Sequence, residues 1–155
     1  MSVNLEEFSR LLGLLYEGLA YPERWSDFLT EISRQIGCDK AGVVFYDLGN
    51  QNPAIGFQVG LPEELIREYN SYYGKRNPTS RAYVQAALRS GSWYGSPRSL
   101  LSEAAVKKTE YYDWQLRHGL VHAINATVTS DHRTFASLSL SRPEAAGPLS
   151  EDATS

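Results

Sequence analysis

A single cysteine, Cys38, in 155 residues excludes an internal disulfide framework and suits a reducing compartment. No apolar run approaches the ~20 residues needed to cross a bilayer. The opening stretch, MSVNLEEFSR, is acidic and polar where a secretion signal would be basic and then apolar. The formal net charge is only −3 and the pI about 5.6, too little positive charge for the chain to grip a phosphate backbone unaided. Internal repeats and low-complexity tracts are lacking too. These gaps leave a cytoplasmic chain with no membrane segment, long enough to bury a core without a staple and short enough to be one domain. What the sequence has in quantity is tyrosine, 10 residues, with 3 tryptophans beside them. Both side chains join a large apolar body to a hydrogen-bonding tip, which suits pocket walls, interfaces and core edges alike.

Hydrophobic spacing divides the chain into elements. Leu5 to Ala20 predicts an amphipathic helix, with Asn4 and Glu7 in capping-box positions and Leu5, Phe8, Leu11, Leu12, Leu15 and Leu19 as its inward stripe. A second helix opens near Pro22, carries Trp25, Phe28, Leu29, Ile32 and Ile36, and closes at Gly37. Ala41 to Leu48 and Ala54 to Gly60 are rich in β-branched and aromatic residues and flank a turn cluster, as in a hairpin. A helical block follows. Leu65, Tyr69, Tyr72 and Tyr73 form one stripe, broken at Asn77-Pro78 because a residue before proline avoids the helical region. Ser80 to Arg89, Leu100 to Lys107 and Glu110 to His118, the last between Thr109 and Gly119, complete the block, with a brief strand near Ser92 to Gly95. Val121 to Thr129 and Arg133 to Ser141 make a second hairpin across Ser130-Asp-His-Arg. Hairpins with helices between them indicate an α+β fold, with an antiparallel sheet of about five strands. Its outline is similar to PAS and GAF sensor domains, with the N-terminal helices on one face and the central helices on the other.

Catalytic patterns are poorly served. His118 and His122 are four apart, but Gly119 ends the helix between them, so both are expected to be structural. Serine takes the wrong slot for a nucleophile elbow in Gly91-Ser-Trp-Tyr-Gly95, and Arg76 follows Gly74-Lys75 where a phosphate loop needs Ser or Thr. Cys38 lies just past a helix C-terminus, where the dipole disfavours a thiolate, so an inert buried thiol is expected. Nothing nominates a metal, a cofactor or a catalytic residue. The last hairpin is more suggestive. Ile124, Ala126, Val128, Ala136, Leu138 and Leu140 form its apolar face by alternation, which leaves Asn125, Thr127, Phe135, Ser137 and Ser139 on the other. That second face is either solvated or the floor of a pocket roofed by Tyr69, Tyr73, Tyr111 and Trp114.

Three segments recur together in a familiar order: Tyr21-Pro-Glu-Arg-Trp25; Tyr69-x-x-x-Tyr73 ahead of Asn77-Pro78; and Thr109-Glu-Tyr-Tyr-Asp-Trp114 ahead of Arg117-His118-Gly119. Taken together they resemble the N-terminal sensor region of bacterial LuxR-type helix-turn-helix transcriptional regulators, over nearly the whole chain. Asn77-Pro78-Thr79 departs from the Asp-Pro-Trp often present in that family. The resemblance implies a sensor domain over residues 1–142, then a tail or linker over 143–155 toward a DNA-binding module absent from this chain. The start of a linking helix is expected at Pro148-Leu-Ser-Glu-Asp, with Ser150 as its cap. The implied partners are a small-molecule effector, DNA only through that further module, and a second copy of the chain in a homodimer. Candidate ligand-binding residues are Phe45, Phe57, Tyr69, Tyr73, Trp93, Tyr111, Trp114, Asn125, Phe135 and Ser137. Two alternatives stay open: an interaction or dimerisation module with a filled core, and a small enzyme, for which no polar cluster stands out.

Overall fold

In the computed structural model the described residues are 4–49, 52–130 and 133–149. Helix α1, Leu5–Ala20, opens on the expected capping box: the Glu7 amide donates to Asn4 Oδ1 at 2.8 Å and the Asn4 amide to Glu7 Oε2 at 3.2 Å. A 3-10 turn at Pro22–Arg24 leads into α2, Trp25–Ile36, which Gly37 ends at a φ of 82°. Strands β1, Lys40–Asp47, and β2, Pro53–Val59, form the first hairpin. Next come α3, Glu63–Glu68, and α4, Ser80–Ser90, then the two-residue β3, Tyr94–Gly95. Helix α5, Glu103–Lys107, precedes α6, Glu110–His118, where Thr109 Oγ1 accepts the Tyr112 amide at 3.2 Å and Gly119 closes the helix. Strands β4, His122–Ser130, and β5, Thr134–Arg142, form the second hairpin. Of the expected turn residues, Asn50, Gln51, Asp131 and His132 lie outside the described residues, as do the side chain of Leu19 and the helix start at Ser150.

The five strands pair antiparallel in the order β2-β1-β5-β4-β3, so the N-terminal hairpin meets the C-terminal one along β1 and β5. Each face of the sheet is covered. Trp25, Phe28 and Leu29 of α2 pack on Ala41, Val43, Ala136, Leu138 and Leu140. On the other face Leu65, Tyr69, Tyr83, Ala87, Tyr111 and Trp114 pack on Val44, Tyr46 and Phe135. The expected two-sided α+β arrangement is therefore the observed one. Gly60, at a φ of 74°, makes the turn out of β2; a Cβ there would run into the Asp39 carbonyl oxygen.

Two helical stripes differ from expectation. Helix α1 lies on α2 and not on the sheet, so Leu11, Leu14 and Leu15 face inward while Leu5, Phe8 and Leu12 are exposed, at 83%, 53% and 38%. Tyr16 extends that exposed line. After α3 the chain continues through a π-helical turn over Tyr69–Tyr73, where the Gly74 amide donates to the Tyr69 carbonyl. Tyr69 and Tyr73 both pack on Trp114, whereas Tyr72 is 40% exposed and so leaves the inward stripe. Cys38 is buried as expected, and loss of hydration pushes its thiol up to about 11, partly offset by Arg142.

Candidate functional site

Between the sheet and the central helices lies a cavity of about 100 Å³. Alternation along the strands supplies its floor: Val44 and Tyr46 from β1, Ser137, Ser139 and Ser141 from β5, Ala123 and Asn125 from β4. Small residues on β5 lower the floor beneath the helices. Leu65 and Tyr69 form one wall, Tyr111, Trp114 and Gln115 of α6 the roof, and Asn77, Pro78, Thr79, Pro97, Arg98 and Val106 close the ends. A separate cleft of about 350 Å³ outside it, near Lys75, Arg81 and Leu88, shares Tyr46 and Asn77 with the cavity.

Trp114 is fully buried and held on every side. Its indole N–H donates to Glu68 Oε2 at 2.6 Å, Tyr73 stacks on it at 4.9 Å with planes 14° apart, and Tyr69 and Tyr111 tilt against it at 6.0 and 5.4 Å. The same carboxylate meets His118 Nε2 at 3.1 Å, which ties α6 to α3 and occupies that histidine structurally. Those contacts, the indole N–H foremost, hold the Glu68 carboxyl below its usual range. Burial pushes the hydroxyls of Tyr46, Tyr69 and Tyr111 up, so all three stay neutral around the cavity. At one end, the Asn77 side chain accepts the Thr79 amide at 3.0 Å and its hydroxyl at 2.8 Å, which fixes the Asn77–Pro78 corner.

Two polar side chains of the floor are in different states. Tyr83 Oη and Ser137 Oγ are 2.8 Å apart, and both residues are 1% exposed. Asn125 Oδ1 is buried and has no hydrogen-bond partner among the described residues, a state that costs ~1–3 kcal/mol for a carbonyl acceptor. Among the described residues the cavity lining offers aromatic faces and small polar side chains and no carboxylate. Among the described residues no group of three or more His, Cys, Asp or Glu is placed to hold a metal ion, and no helix is long and apolar enough to cross a membrane.

Of the residues singled out from sequence, Tyr69, Tyr111, Trp114, Asn125 and Ser137 line the cavity together. Tyr73 stands one layer back, stacked on Trp114. Phe135 is wholly buried beside the cavity, edge-on to Tyr46 at 5.7 Å and Tyr83 at 5.5 Å, and Trp93 packs on Tyr83 at 5.1 Å. Phe45 and Phe57 are corrections: they lie on the opposite face of the sheet, where Phe57 stacks on Trp25 at 5.6 Å. For Phe45 the cause is parity, because β1 is apolar on both faces and Tyr46 takes the cavity side. For Phe57 it is a β-bulge. Val43 pairs with Phe57 and Val44 with Ile55, so Gly56 is an extra residue that sends its two neighbours to opposite faces. Sequence reading also missed Val44, Tyr46, Leu65 and Thr79; only the doubled apolar pattern of β1 hinted that both its faces were buried.

No protein-family model matches the chain, and no curated protein matches it. Several solved structures are similar. The ligand-binding domain of VqsR from Pseudomonas aeruginosa aligns with a TM-score of 0.65 at 21% identity, over 87% of this chain and 79% of that one. CepR2 from Burkholderia cenocepacia, an N-acylhomoserine lactone dependent LuxR family transcription factor, aligns at 0.68 and 12% identity, over 96% of this chain and 84% of that one. SdiA in complex with octanoyl-rac-glycerol aligns at 0.60 and 17% identity, over 99% of this chain and 61% of SdiA. The chain thus has the fold of the ligand-binding domains of LuxR-type regulators.

Proposed function

We propose that this chain is a ligand-sensing regulatory domain that binds a small molecule between the sheet and the central helices and acts by binding, not turnover. The observation that carries this reading is the aromatic-roofed cavity over a floor of small side chains, in a fold in which SdiA is held with octanoyl-rac-glycerol. A ligand that prefers one packing of the helices on the sheet shifts that population by its differential affinity, and the shift is the signal. In this reading residues 1–142 are the sensor, and residues 143–155 lead toward a helix-turn-helix module in a cytoplasmic transcriptional regulator. Arg142 anchors the start of that segment, with Nε donating to the Gly147 carbonyl at 2.8 Å and a second guanidinium nitrogen to that of Pro148. Homodimerisation belongs to the reading as well, through the exposed stripe of α1.

The test is native mass spectrometry of the chain purified from its source cells, followed by thermal unfolding with the extracted molecule added back. A copurified small molecule that raises Tm in a concentration-dependent way is the expected result. A chain that carries no adduct and whose Tm is unmoved by any fraction of a cell extract would leave the interaction-module reading in its place.

A further inference from the structure

The outer cleft differs from the inner cavity in size, charge and access, and what it can hold does not depend on the sensing role proposed above. An apolar protein cavity of ~150 Å³ encloses benzene. The cleft, at about 350 Å³, is more than twice that, whereas the inner cavity, at about 100 Å³, is smaller. Small-molecule sites ordinarily begin at ~300 Å³. Helical spacing builds one wall. Arg81, Val84, Gln85 and Leu88 stand three and four apart along one side of α4, while Tyr83 and Ala87 face the core. Leu48 and Pro53, at either end of the first hairpin's turn, join Val84 and Leu88 in the apolar lining, and Leu88 is 47% exposed. At Gly74 a Cβ would stand 2.8 Å from Pro53 Cγ, so glycine lets the turn Gly74–Arg76 close on β2 and brings Lys75 to the mouth of the cleft.

The charges there are unequally occupied. Arg76 is paired with Glu110 at 3.2 Å and lies over the Tyr72 ring. Lys75 and Arg81 are exposed, and neither side chain has a hydrogen-bond, ion-pair or ring partner among the described residues. The lining's carboxylate, Asp47, turns Oδ1 to the Gly49 amide at 2.8 Å, and Asn77 Oδ1 is taken by Thr79. Two free cations against one engaged carboxylate leave the cleft positive beside an apolar wall. Both cations are open to solvent, so a guest reaches them without displacing the core.

We propose that this cleft is a second binding site, for an organic anion that carries a carboxylate on a flat two-ring apolar body. The carboxylate meets Lys75 and Arg81, and the body lies against Leu48, Val84 and Leu88. Arg81 supplies paired N–H donors that match a carboxylate, and Lys75 a point charge. The inner cavity offers no substitute. Its lone charged side chain among the described residues, Arg98, is engaged by Glu103 at 3.6 Å and lies over the Tyr112 ring.

The test is calorimetric titration of the chain with 2-naphthoate and its neutral counterpart 2-naphthamide, followed by amide chemical-shift mapping. The naphthoate is expected to bind at one site about tenfold tighter than the amide, a ratio that shrinks as salt is raised. Lys75→Gln with Arg81→Gln is expected to erase the ratio without lowering Tm, because both side chains are exposed and unpaired. Leu88→Ala is expected to weaken both probes alike and keep their ratio. Shifts are expected at Lys75, Arg81, Val84 and Leu88, and not at Asn125 or Ser137. Equal affinities, a ratio that survives the double substitution, or no saturable binding of 2-naphthoate overturns the proposal. Shifts confined to Tyr111, Asn125 and Ser137 put the anion in the inner cavity, which overturns the outer site and leaves the sensing role intact. A molecule copurified in the inner cavity is untouched by any of these outcomes, so the two readings fail separately.

Discussion

The bond between Tyr83 and Ser137 joins α4 to the floor of the cavity, and its strength can be worked from the geometry. The two oxygens are 2.8 Å apart and both residues are 1% exposed, so neither hydroxyl has water to fall back on. Besides Tyr83, Ser137 Oγ reaches only the Leu138 carbonyl at 3.4 Å, beyond good hydrogen-bond length. Tyr83→Phe preserves the ring, with its edge-on contacts to Phe135 at 5.5 Å and Trp93 at 5.1 Å, and strands the serine hydroxyl. The expected loss is ~1–2 kcal/mol, the cost of a buried hydroxyl left with a poor partner. For a chain of this size that is a fall in Tm of roughly 2–8 °C. Ser137→Ala removes one partner of the tyrosine hydroxyl, which Thr127 also reaches, and is expected to cost less. The double variant is the decisive measurement. With both partners gone nothing is stranded, so its loss is expected to fall short of the sum of the single losses by ~1 kcal/mol. Urea unfolding at pH 7 with an unchanged m-value measures all three. Losses that add to within ~0.3 kcal/mol would refute the reasoning, because two hydroxyls that behave independently are not bonded to each other.

Acid sensitivity follows from Glu31, whose carboxyl is lowered to about 2 by hydrogen bonds from Arg34 and Gln35, with Arg10 of α1 at 3.8 Å. A carboxylate with a depressed folded-state pKa stabilises above its ordinary value of 4.5 and loses that contribution as pH falls toward about 2. Urea midpoints measured from pH 7 to pH 2 are therefore expected to fall less steeply through that window in Glu31→Gln than in the unaltered chain. On α1, Leu5, Phe8, Leu12 and Tyr16 stand on one exposed line. Sedimentation equilibrium is expected to show a dimer that Phe8→Glu with Leu12→Glu converts to monomer without lowering Tm; an unaltered mass would remove α1 from the interface.

How much of this was legible in sequence varies with the range of the interaction. Capping at Asn4 and Glu7, the end of α2 at Gly37 and the start of α6 at Thr109 depend on residues a turn apart, and each lies where local chemistry places it. The shared face of the last hairpin was legible for the same reason, since alternation put Ile124, Ala126, Leu138 and Leu140 on one side, where the structure pairs Ile124 with Leu140 and Ala126 with Leu138. The site was half legible. Tyr69, Tyr111, Trp114, Asn125 and Ser137 converge as their spacing implied, whereas Tyr46 was hidden because β1 is apolar on both sides. Likewise, the state of Asn125 against that of Ser137 was invisible, since it depends on Tyr83 reaching the floor from a distant helix.

What the order of residues determined by itself was the kind of each segment, the caps, the two hairpins and a chain able to cover both faces of one antiparallel sheet. Each of those rests on contacts within a few residues. Tertiary structure alone decided the bulge at Gly56, the π-helical turn after α3, the outer position of α1 and the opening left between sheet and helices. Bulges and widened turns shift a side chain by one position only when a distant partner is there to reward the shift. A cavity is the space that many such choices leave unfilled, and no local pattern encodes its size.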